Sequence, residues 1–173
     1  MSDDLEFAKL VDRHYGPLYR FAFSLARTEA DACDLVQETY YIWMRKRGQI
    51  RDSTRIKSWL FTTLHREFLQ TCRRNSRHPA VELDEVEGDL QLVTEANWNQ
   101  LDARQIALTI DQIDECFRAP LALFYIEDFS YEEIAGALGI PLGTVKSRLS
   151  RGITQLRSQL AQDIQVQKGT GDE

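Results

Sequence analysis

The stretch that decides the fold is residues 129–160, FSYEEIAGALGIPLGTVKSRLSRGITQLRSQL. Ser130, followed three residues later by Glu133, has the pattern of a capping box, which opens an α-helix. This pattern predicts a helix over Tyr131–Leu138. Gly139 is expected to close the helix, because glycine adopts the left-handed conformation of a helix end at little cost.

A second helix is predicted to start near Leu142 and to run to about Gln162, and it is amphipathic. Its apolar residues form one stripe at helical spacing, consisting of Val145, Leu149, Ile153, Leu156 and Leu160. Residues 142–162 also contain four bases and no acid. A helix with a buried stripe and polar or basic outer faces, placed directly after a tight turn, fits the major groove of DNA. The alternative is an ordinary helical hairpin with a solvated basic face.

Residues 117–160 resemble region four of the extracytoplasmic-function sigma factors, which belong to the sigma-70 family. The resemblance is carried by FRAPLALFYIEDFSYEEIAGALGI and GTVKSRLSRG. It implies a module that reads the minus-thirty-five promoter element and rests on the flap of the polymerase β subunit. The sequence Ile113-Asp114-Glu115 departs from the Leu-Pro pair that is usual before this region. The implied base-reading residues are Lys146, Ser147, Ser150 and Arg151, and the implied phosphate contacts are Thr144 and Arg148.

The N-terminal half has helical periodicity in three segments, which run over residues 5–25, 32–43 and about 56–68. No stretch shows the apolar–polar alternation of a β-strand. We therefore predict a helical bundle in this half and an all-α fold for the chain.

Residues 18–46, LYRFAFSLARTEADACDLVQETYYIWMRK, resemble region two of the same family through the words DACDLVQETY. The resemblance implies that this segment binds the clamp helices of the polymerase β′ subunit. The implied contact residues are Asp31, Asp34, Gln37, Glu38 and Trp43. Taken alone, the segment would be interpreted as a solvated acidic face with a core tryptophan. When this segment is considered together with the distant region-four match, a polymerase interface is the favoured interpretation.

Residues 45–77 carry ten Lys and Arg residues against two acids. Residues 46–57, KRGQIRDSTRIK, are interpreted as a loop, and residues 58–77 as a helix. The resemblance implies that this part opens the minus-ten element, with the loop between Arg47 and Lys57 holding a captured base. Trp59 is interpreted as a core residue rather than a stacking platform. The implied DNA contacts are Arg47, Arg51, Arg55, Lys57, His65, Arg66, Gln70, Arg73 and Arg74.

Two of these positions depart from the family pattern. Arg66 stands where Asn is common in the family, and Gln70 stands where Asp is frequent. These departures affect the expected minus-ten sequence preference and not the presence of the module.

The charge pattern predicts two cationic units on an acidic connector. The net charge is -6, yet residues 79–102 alone carry seven acids and no base. We predict region two over residues 1–78, an acidic linker over 79–100, region four over 101–163 and a flexible tail over 164–173. Helical character is expected to resume near residues 98–117, to break at Pro120 and to continue in a helix over Leu121–Glu127.

The sequence contains no recognisable catalytic or metal-binding motif. HExxH, GxSxG and the Walker P-loop are absent. The cysteines Cys33, Cys72 and Cys116 are scattered and form no CxxC pair. We therefore predict a protein that is not an enzyme, with no catalytic residues, metal or cofactor. A thiol sensor remains an unsupported alternative.

The expected location is the cytoplasm, without membrane insertion, because the N-terminus is acidic and the apolar runs are short. The implied partners are core RNA polymerase, promoter DNA and commonly an anti-sigma factor. The main alternative is a helix-turn-helix transcription regulator that binds duplex DNA by itself. A third possibility is an interaction module that sequesters a regulator. The intact basic patches argue against this possibility.

Overall fold

The computed structural model describes residues 2–49, 52–75 and 109–169, and these residues form helices and turns with no β-strand. The all-α prediction is therefore confirmed. The α-helices are α1 (Ser2–Ala26), α2 (Glu29–Lys46), α3 (Ile56–Arg74), α4 (Glu115–Tyr125), α5 (Tyr131–Leu138) and α6 (Leu142–Gly169). Short 3-10 turns cover Arg47–Gln49, Ser53–Arg55 and Ile110–Gln112. The predicted linker over residues 79–100 lies outside the described residues.

The ends of α5 form as the sequence predicts. The Ser130 hydroxyl accepts a 3.2 Å hydrogen bond from the backbone N–H of Glu133, and the Ser130 N–H donates to the Glu133 carboxylate at 2.8 Å. Gly139 ends the helix at φ 66°, in the left-handed region. The capping box and the glycine cap are thus confirmed, and together they fix where the helix-turn-helix turns.

The predicted helix break at Pro120 is wrong. α4 runs through Pro120 without interruption, and no new helix starts at Leu121. The break lies earlier, at Ile113 and Asp114, whose extended ψ angles of 146° and 139° separate a 3-10 turn from α4. A proline is compatible with helical φ and removes one backbone hydrogen bond. Pro120 is also buried, so packing compensates for that loss.

α6 is longer than predicted. It continues past Gln162 to Gly169, and so includes the first residues of the predicted tail over 164–173. Residues 153–168 contain neither proline nor glycine, so nothing in the local sequence stops the helix. Residues 170–173 lie outside the described part of the chain.

The helices pack as two units of three. α1, α2 and α3 surround a first set of fully buried side chains that includes Leu18, Leu60 and Leu64. α4, α5 and α6 surround a second set that includes Leu121 and Leu149.

The two units also pack against each other, α1 against α4 and α3 against α5. Phe129, in the segment between α4 and α5, is 3% exposed and contacts Phe61 at a ring-centroid distance of 4.9 Å. Phe61 in turn contacts Phe21 of α1 at 5.4 Å. These contacts join the two sets of buried side chains into one apolar cluster.

α4 and α6 cross closely at Gly152. A Cβ atom at this position would lie 3.0 Å from the Phe117 Cβ and 2.9 Å from the Leu121 Cδ1. Gly136 in α5 is exposed and has open space around it. The two glycines therefore offer a matched pair for testing the packing.

We expect Gly152→Ala to lower the free energy of unfolding by about 1–3 kcal/mol, because the Phe117 Cβ belongs to a rigid helix and must move. Gly136→Ala should instead raise it by roughly 0.5–1 kcal/mol through helix propensity. Urea unfolding followed by circular dichroism measures both. A stabilised Gly152→Ala variant would contradict the observed crossing.

Among the described residues, no helix is both long enough and apolar enough to cross a membrane.

Candidate nucleic-acid and polymerase interfaces

The helix-turn-helix consists of α5, the turn at Gly139–Pro141 and the start of α6. The predicted apolar stripe of α6 is confirmed at its first four positions, where Val145, Leu149, Ile153 and Leu156 are at most 1% exposed. Leu160 is partly buried and packs on the same cluster. The stripe anchors α6 and leaves its other faces available.

The predicted minus-thirty-five residues divide into three groups by exposure. Lys146 and Arg151 are exposed. Thr144, Ser147 and Ser150 are half-buried, and the Ser147 hydroxyl donates a 3.2 Å hydrogen bond to the Thr144 carbonyl. A serine hydroxyl that bonds to its own helix can give up this hydrogen bond and form one with a base edge, and no charge is left unpaired.

Arg148 forms the third group, because it faces the first unit. It is half-buried, and its charge is close enough to His65 of α3 to lower the pKa of that imidazole. Burial is the larger cause, and together the two effects bring the pKa of His65 to about 4. The predicted minus-thirty-five helix and the predicted minus-ten helix are therefore neighbours in this arrangement.

The loop before α3 presents part of the predicted minus-ten set. Arg47 and Arg55 are exposed, and the Arg55 Nε lies 3.5 Å from the Asp52 carboxylate. Hydrogen bonds from the Thr54 hydroxyl and N–H hold the pKa of Asp52 below its usual value. Arg51 lies outside the described residues.

Lys57 points toward the second unit instead of toward solvent. Its Nζ donates a 3.1 Å hydrogen bond to the Glu127 carbonyl and lies 4.5 Å from the centre of the Phe129 ring. In this arrangement a promoter strand would have to compete for Lys57.

α3 carries the rest of the predicted minus-ten set. Arg66, Gln70, Arg73 and Arg74 are exposed along one side of the helix. His65 is only 9% exposed, so the prediction that it contacts a DNA strand does not hold for this arrangement. Trp59 is partly buried and packs on the apolar cluster, in keeping with a core role.

The predicted clamp-binding surface on α2 consists of four exposed side chains, those of Asp31, Asp34, Gln37 and Glu38. Trp43 is different, since it is 7% exposed and stacks on Phe7 with ring centres 5.7 Å apart. A partner would not reach its indole ring directly. The tryptophan therefore supports α2 from behind and does not form part of its exposed face.

A cleft of about 640 Å³ adjoins this surface. Its walls include Asp31, Asp34 and Glu38 of α2, Phe68 of α3 and Glu115 of α4. The cleft therefore lies between the two units, has acidic, basic and apolar side chains in its walls, among them Arg27, Arg74 and Arg118, and is continuous with the predicted clamp-binding surface.

Within the described residues, no group of three or more His, Cys, Asp or Glu side chains is arranged to hold a metal ion. Burial is the main factor that raises the pKa of the Cys72 and Cys116 thiols, which disfavours the reactive thiolate.

Sequence reasoning missed one pair of charged residues. Arg20 and Glu127 form an ion pair between the two units, with the Arg20 Nε 3.1 Å and its Nη2 3.2 Å from the two carboxylate oxygens. The residues are 107 positions apart, and no local pattern links them. Burial raises the pKa of Glu127, and the charges of Arg20 and Lys57 oppose that rise.

Comparison with known proteins agrees with this architecture. A model of sigma-70 region 2 matches residues 10–78, and a model of sigma-70 region 4 matches residues 99–156. The chain is 36% identical over 158 residues to the ECF RNA polymerase sigma factor SigE of Mycolicibacterium smegmatis, covering 88% of this chain and 61% of that protein. It is 33% identical over 153 residues to the ECF RNA polymerase sigma factor SigL of Mycobacterium tuberculosis, covering 87% of this chain and 86% of that protein.

Two solved structures are similar along most of the chain. The sigma factor RpoE of Bartonella quintana, in complex with the anti-sigma factor NepR, is 27% identical with a TM-score of 0.68, covering 90% of this chain and 97% of that one. CnrH, in complex with the cytosolic domain of CnrY, is 25% identical with a TM-score of 0.63, covering 91% of this chain and 88% of that one.

The fold thus defines an all-helical protein of two units, the second of which contains a helix-turn-helix. The family-model matches and the curated relatives show that the chain belongs to the extracytoplasmic-function sigma factors of the sigma-70 family. It is an alternative sigma factor that directs promoter-specific transcription initiation. The family consists of transcription regulators rather than enzymes.

The depressed pKa of His65 makes stability depend on pH. In the unfolded chain the pKa of histidine is about 6.5. The folded value of about 4 means that the unfolded chain takes up the proton first as the pH falls. The contribution of His65 to stability is therefore complete above pH 6.5 and declines between about pH 6.5 and 4.

We expect the wild type to lose roughly 2 kcal/mol more than His65→Gln in the free energy of unfolding between pH 7 and pH 5. Urea unfolding of both proteins at the two pH values measures the difference. Taking the difference removes the contribution of Glu127, whose raised pKa acts in the opposite direction. Equal losses in the two proteins would show that His65 is not buried in its neutral form.

Proposed function

We propose that this sigma factor binds core RNA polymerase through the exposed face of α2 and through its second unit. In the bound state the start of α6 reads the minus-thirty-five element, and α3 with its preceding loop opens the minus-ten element. The observation that carries the proposal is that one chain presents a helix start with four bases and no acid over residues 142–162, a basic α3 and a separate acidic face on α2.

The start of α6 has the chemistry for reading base edges. Lys146 and Arg151 are exposed on a helix whose opposite stripe is anchored in the core. Arginine can bind guanine through two hydrogen bonds, and serine can bond to bases or phosphates. We assign base reading to Lys146, Ser147, Ser150 and Arg151, and phosphate contacts to Thr144 and Arg148.

The exposed basic side of α3 suits a single strand of melted DNA. Arg66, Arg73 and Arg74 can neutralise phosphates, and the loop from Arg47 to Lys57 lies at the start of this helix. Opening a duplex requires compensation for lost base stacking, which captured bases and phosphate contacts provide. We assign the same loop to base capture. His65 is left out of the contact set while it is buried.

The acidic face of α2 suits a cationic partner surface. Asp31, Asp34 and Glu38 are exposed on one helix and would repel DNA, so this face is suited to protein and not to nucleic acid. We assign it to the β′ clamp helices, and the second unit to the β flap. Binding to core polymerase implies a location in the cytoplasm.

An anti-sigma factor is proposed as a regulatory partner. One similar solved structure holds a sigma factor with the anti-sigma factor NepR, and the other holds CnrH with the cytosolic domain of CnrY. The cleft between the two units, whose walls carry acids, arginines and apolar side chains, is continuous with the proposed clamp-binding face. A partner segment bound there would mask Asp34 and Glu38 from polymerase.

Transcription from a random promoter library by core polymerase with and without this protein tests the function. We expect specific transcripts only when both are present, and sequencing the transcript starts yields both promoter elements. Tight, specific binding to promoter DNA without polymerase, with no effect on transcription, would instead favour an autonomous helix-turn-helix regulator.

We expect Asp34→Lys or Glu38→Lys to weaken binding to core polymerase at least tenfold, because either change places a cation against a cationic partner. Asp12→Lys, an exposed residue of α1 outside the proposed face, is the control with the same change in charge. Fluorescence anisotropy with labelled protein measures the affinity. Equal affinities for all three variants would move the clamp contact elsewhere.

We expect Arg151→Ala to weaken the contribution of the minus-thirty-five element by about 1–3 kcal/mol, the value of a base-edge contact. Transcription is compared on promoters with intact and scrambled minus-thirty-five elements. Lys9→Ala removes an exposed positive charge from α1 and should leave the ratio unchanged. If Arg151→Ala also leaves the ratio unchanged, Arg151 does not read this element.

A further inference from the structure

The segment Glu127–Phe129, between α4 and α5, is inserted against the first unit. The Glu127 side chain is 3% exposed and accepts two hydrogen bonds from Arg20 of α1. The Glu127 carbonyl accepts a hydrogen bond from Lys57, whose ammonium group also lies above the ring of Phe129. This short segment therefore occupies two cations of the first unit, one of which belongs to the proposed base-capture loop.

The groups that the segment presents are those that a nucleotide would present. A carboxylate held by two parallel guanidinium bonds is equivalent in charge and geometry to a bound phosphate. An aromatic ring beneath an ammonium group is equivalent to a base stacked under a cation. A cavity of about 520 Å³ lies at the same place, lined by Arg13, His14, Pro17, Thr54, Lys57 and Glu127.

The packed arrangement cannot read both promoter elements at once. By their names the two elements lie about 25 base pairs apart, which is about 85 Å along B-form DNA. Here the proposed minus-ten helix α3 packs on α5 of the helix-turn-helix, and the charge of Arg148 on α6 acts on His65. The chain between Asn75 and Thr109, if fully extended, would permit a separation on the order of 100 Å.

We propose that Glu127–Phe129 is an intramolecular lock. It occupies Lys57 of the base-capture loop in place of a promoter strand, and through its ion pair with Arg20 it holds the two units together. Core polymerase binds the unlocked form and must displace the segment before the promoter can be read. The inference rests on the proposed function, because the lock withholds Lys57, which belongs to the loop assigned there to base capture.

The lock can be opened with charge reversals outside the proposed binding residues. Glu127→Arg places a cation against Arg20 and Lys57, and Arg20→Glu places an anion against Glu127. The double variant with both changes restores an ion pair in the opposite sense. Glu132→Arg has the same change in charge as Glu127→Arg at an exposed position of α5 and serves as the control.

Small-angle X-ray scattering of the free proteins measures the opening without polymerase. We expect the radius of gyration to rise by several ångströms in each single lock variant and to return toward the wild-type value in the double variant. Glu132→Arg should keep the wild-type radius. Circular dichroism should show unchanged helix content. Arg20 is half-exposed, so Arg20→Glu tests the lock even if Glu127→Arg does not fold.

Affinity for core polymerase provides the second measurement. If the locked form makes up 90–99% of the free protein, unlocking tightens the apparent affinity by about 10–100-fold. Unchanged radius and unchanged affinity in Arg20→Glu would overturn the lock. A wild type that does not bind polymerase at all would overturn the proposed function, while the scattering result would still decide whether the two units are held together.

Discussion

The contact between Phe129 and Phe61 is the interaction on which the arrangement of this protein depends. Each unit has its own buried leucines, and Phe129 joins the two sets by packing against an aromatic pair of the first unit. The packing of α1 against α4 and of α3 against α5, together with the polar contacts of Glu127, extends the same interface. In this arrangement the basic α3 packs against α5 of the helix-turn-helix. The interface around Phe129 thus sets how the two units lie relative to each other.

The same contact is weak enough to be reversed. The ion pair beside it combines a nearly buried carboxylate with a guanidinium group whose side chain is 52% exposed, and half-exposed pairs contribute little to stability. A buried phenylalanine contributes about 1.5–3 kcal/mol through the apolar area it removes from water. The proposed opening of the lock on polymerase requires the partner to outweigh the whole interface between the units, and it requires no change within either unit.

The distribution of charge separates the partners of the chain. The exposed acids of α2 repel DNA and suit a protein surface, whereas the exposed bases of α3 and α6 suit phosphates and base edges. A net charge of -6 weakens binding of the free chain to duplex DNA, because affinity for DNA depends on phosphate neutralisation. Weak binding by the free chain is consistent with the proposal that it reaches promoters as a subunit of polymerase. This agrees with membership of a sigma factor family and argues against an autonomous regulator.

Local chemistry was enough to predict the all-α fold, the capping box at Ser130, the glycine cap and the buried stripe of α6, because each depends on residues within one or two helical turns. The exposed faces of α2 and α3 followed from the same periodicity. The helix break was misplaced at Pro120, because the local cost of a proline says nothing about the packing that compensates for it. The burial of His65, the close crossing at Gly152 and the pairing of Arg20 with Glu127 required the tertiary structure. Each of these brings together side chains on different helices, up to 107 positions apart, and periodicity along one helix contains no information about its partner.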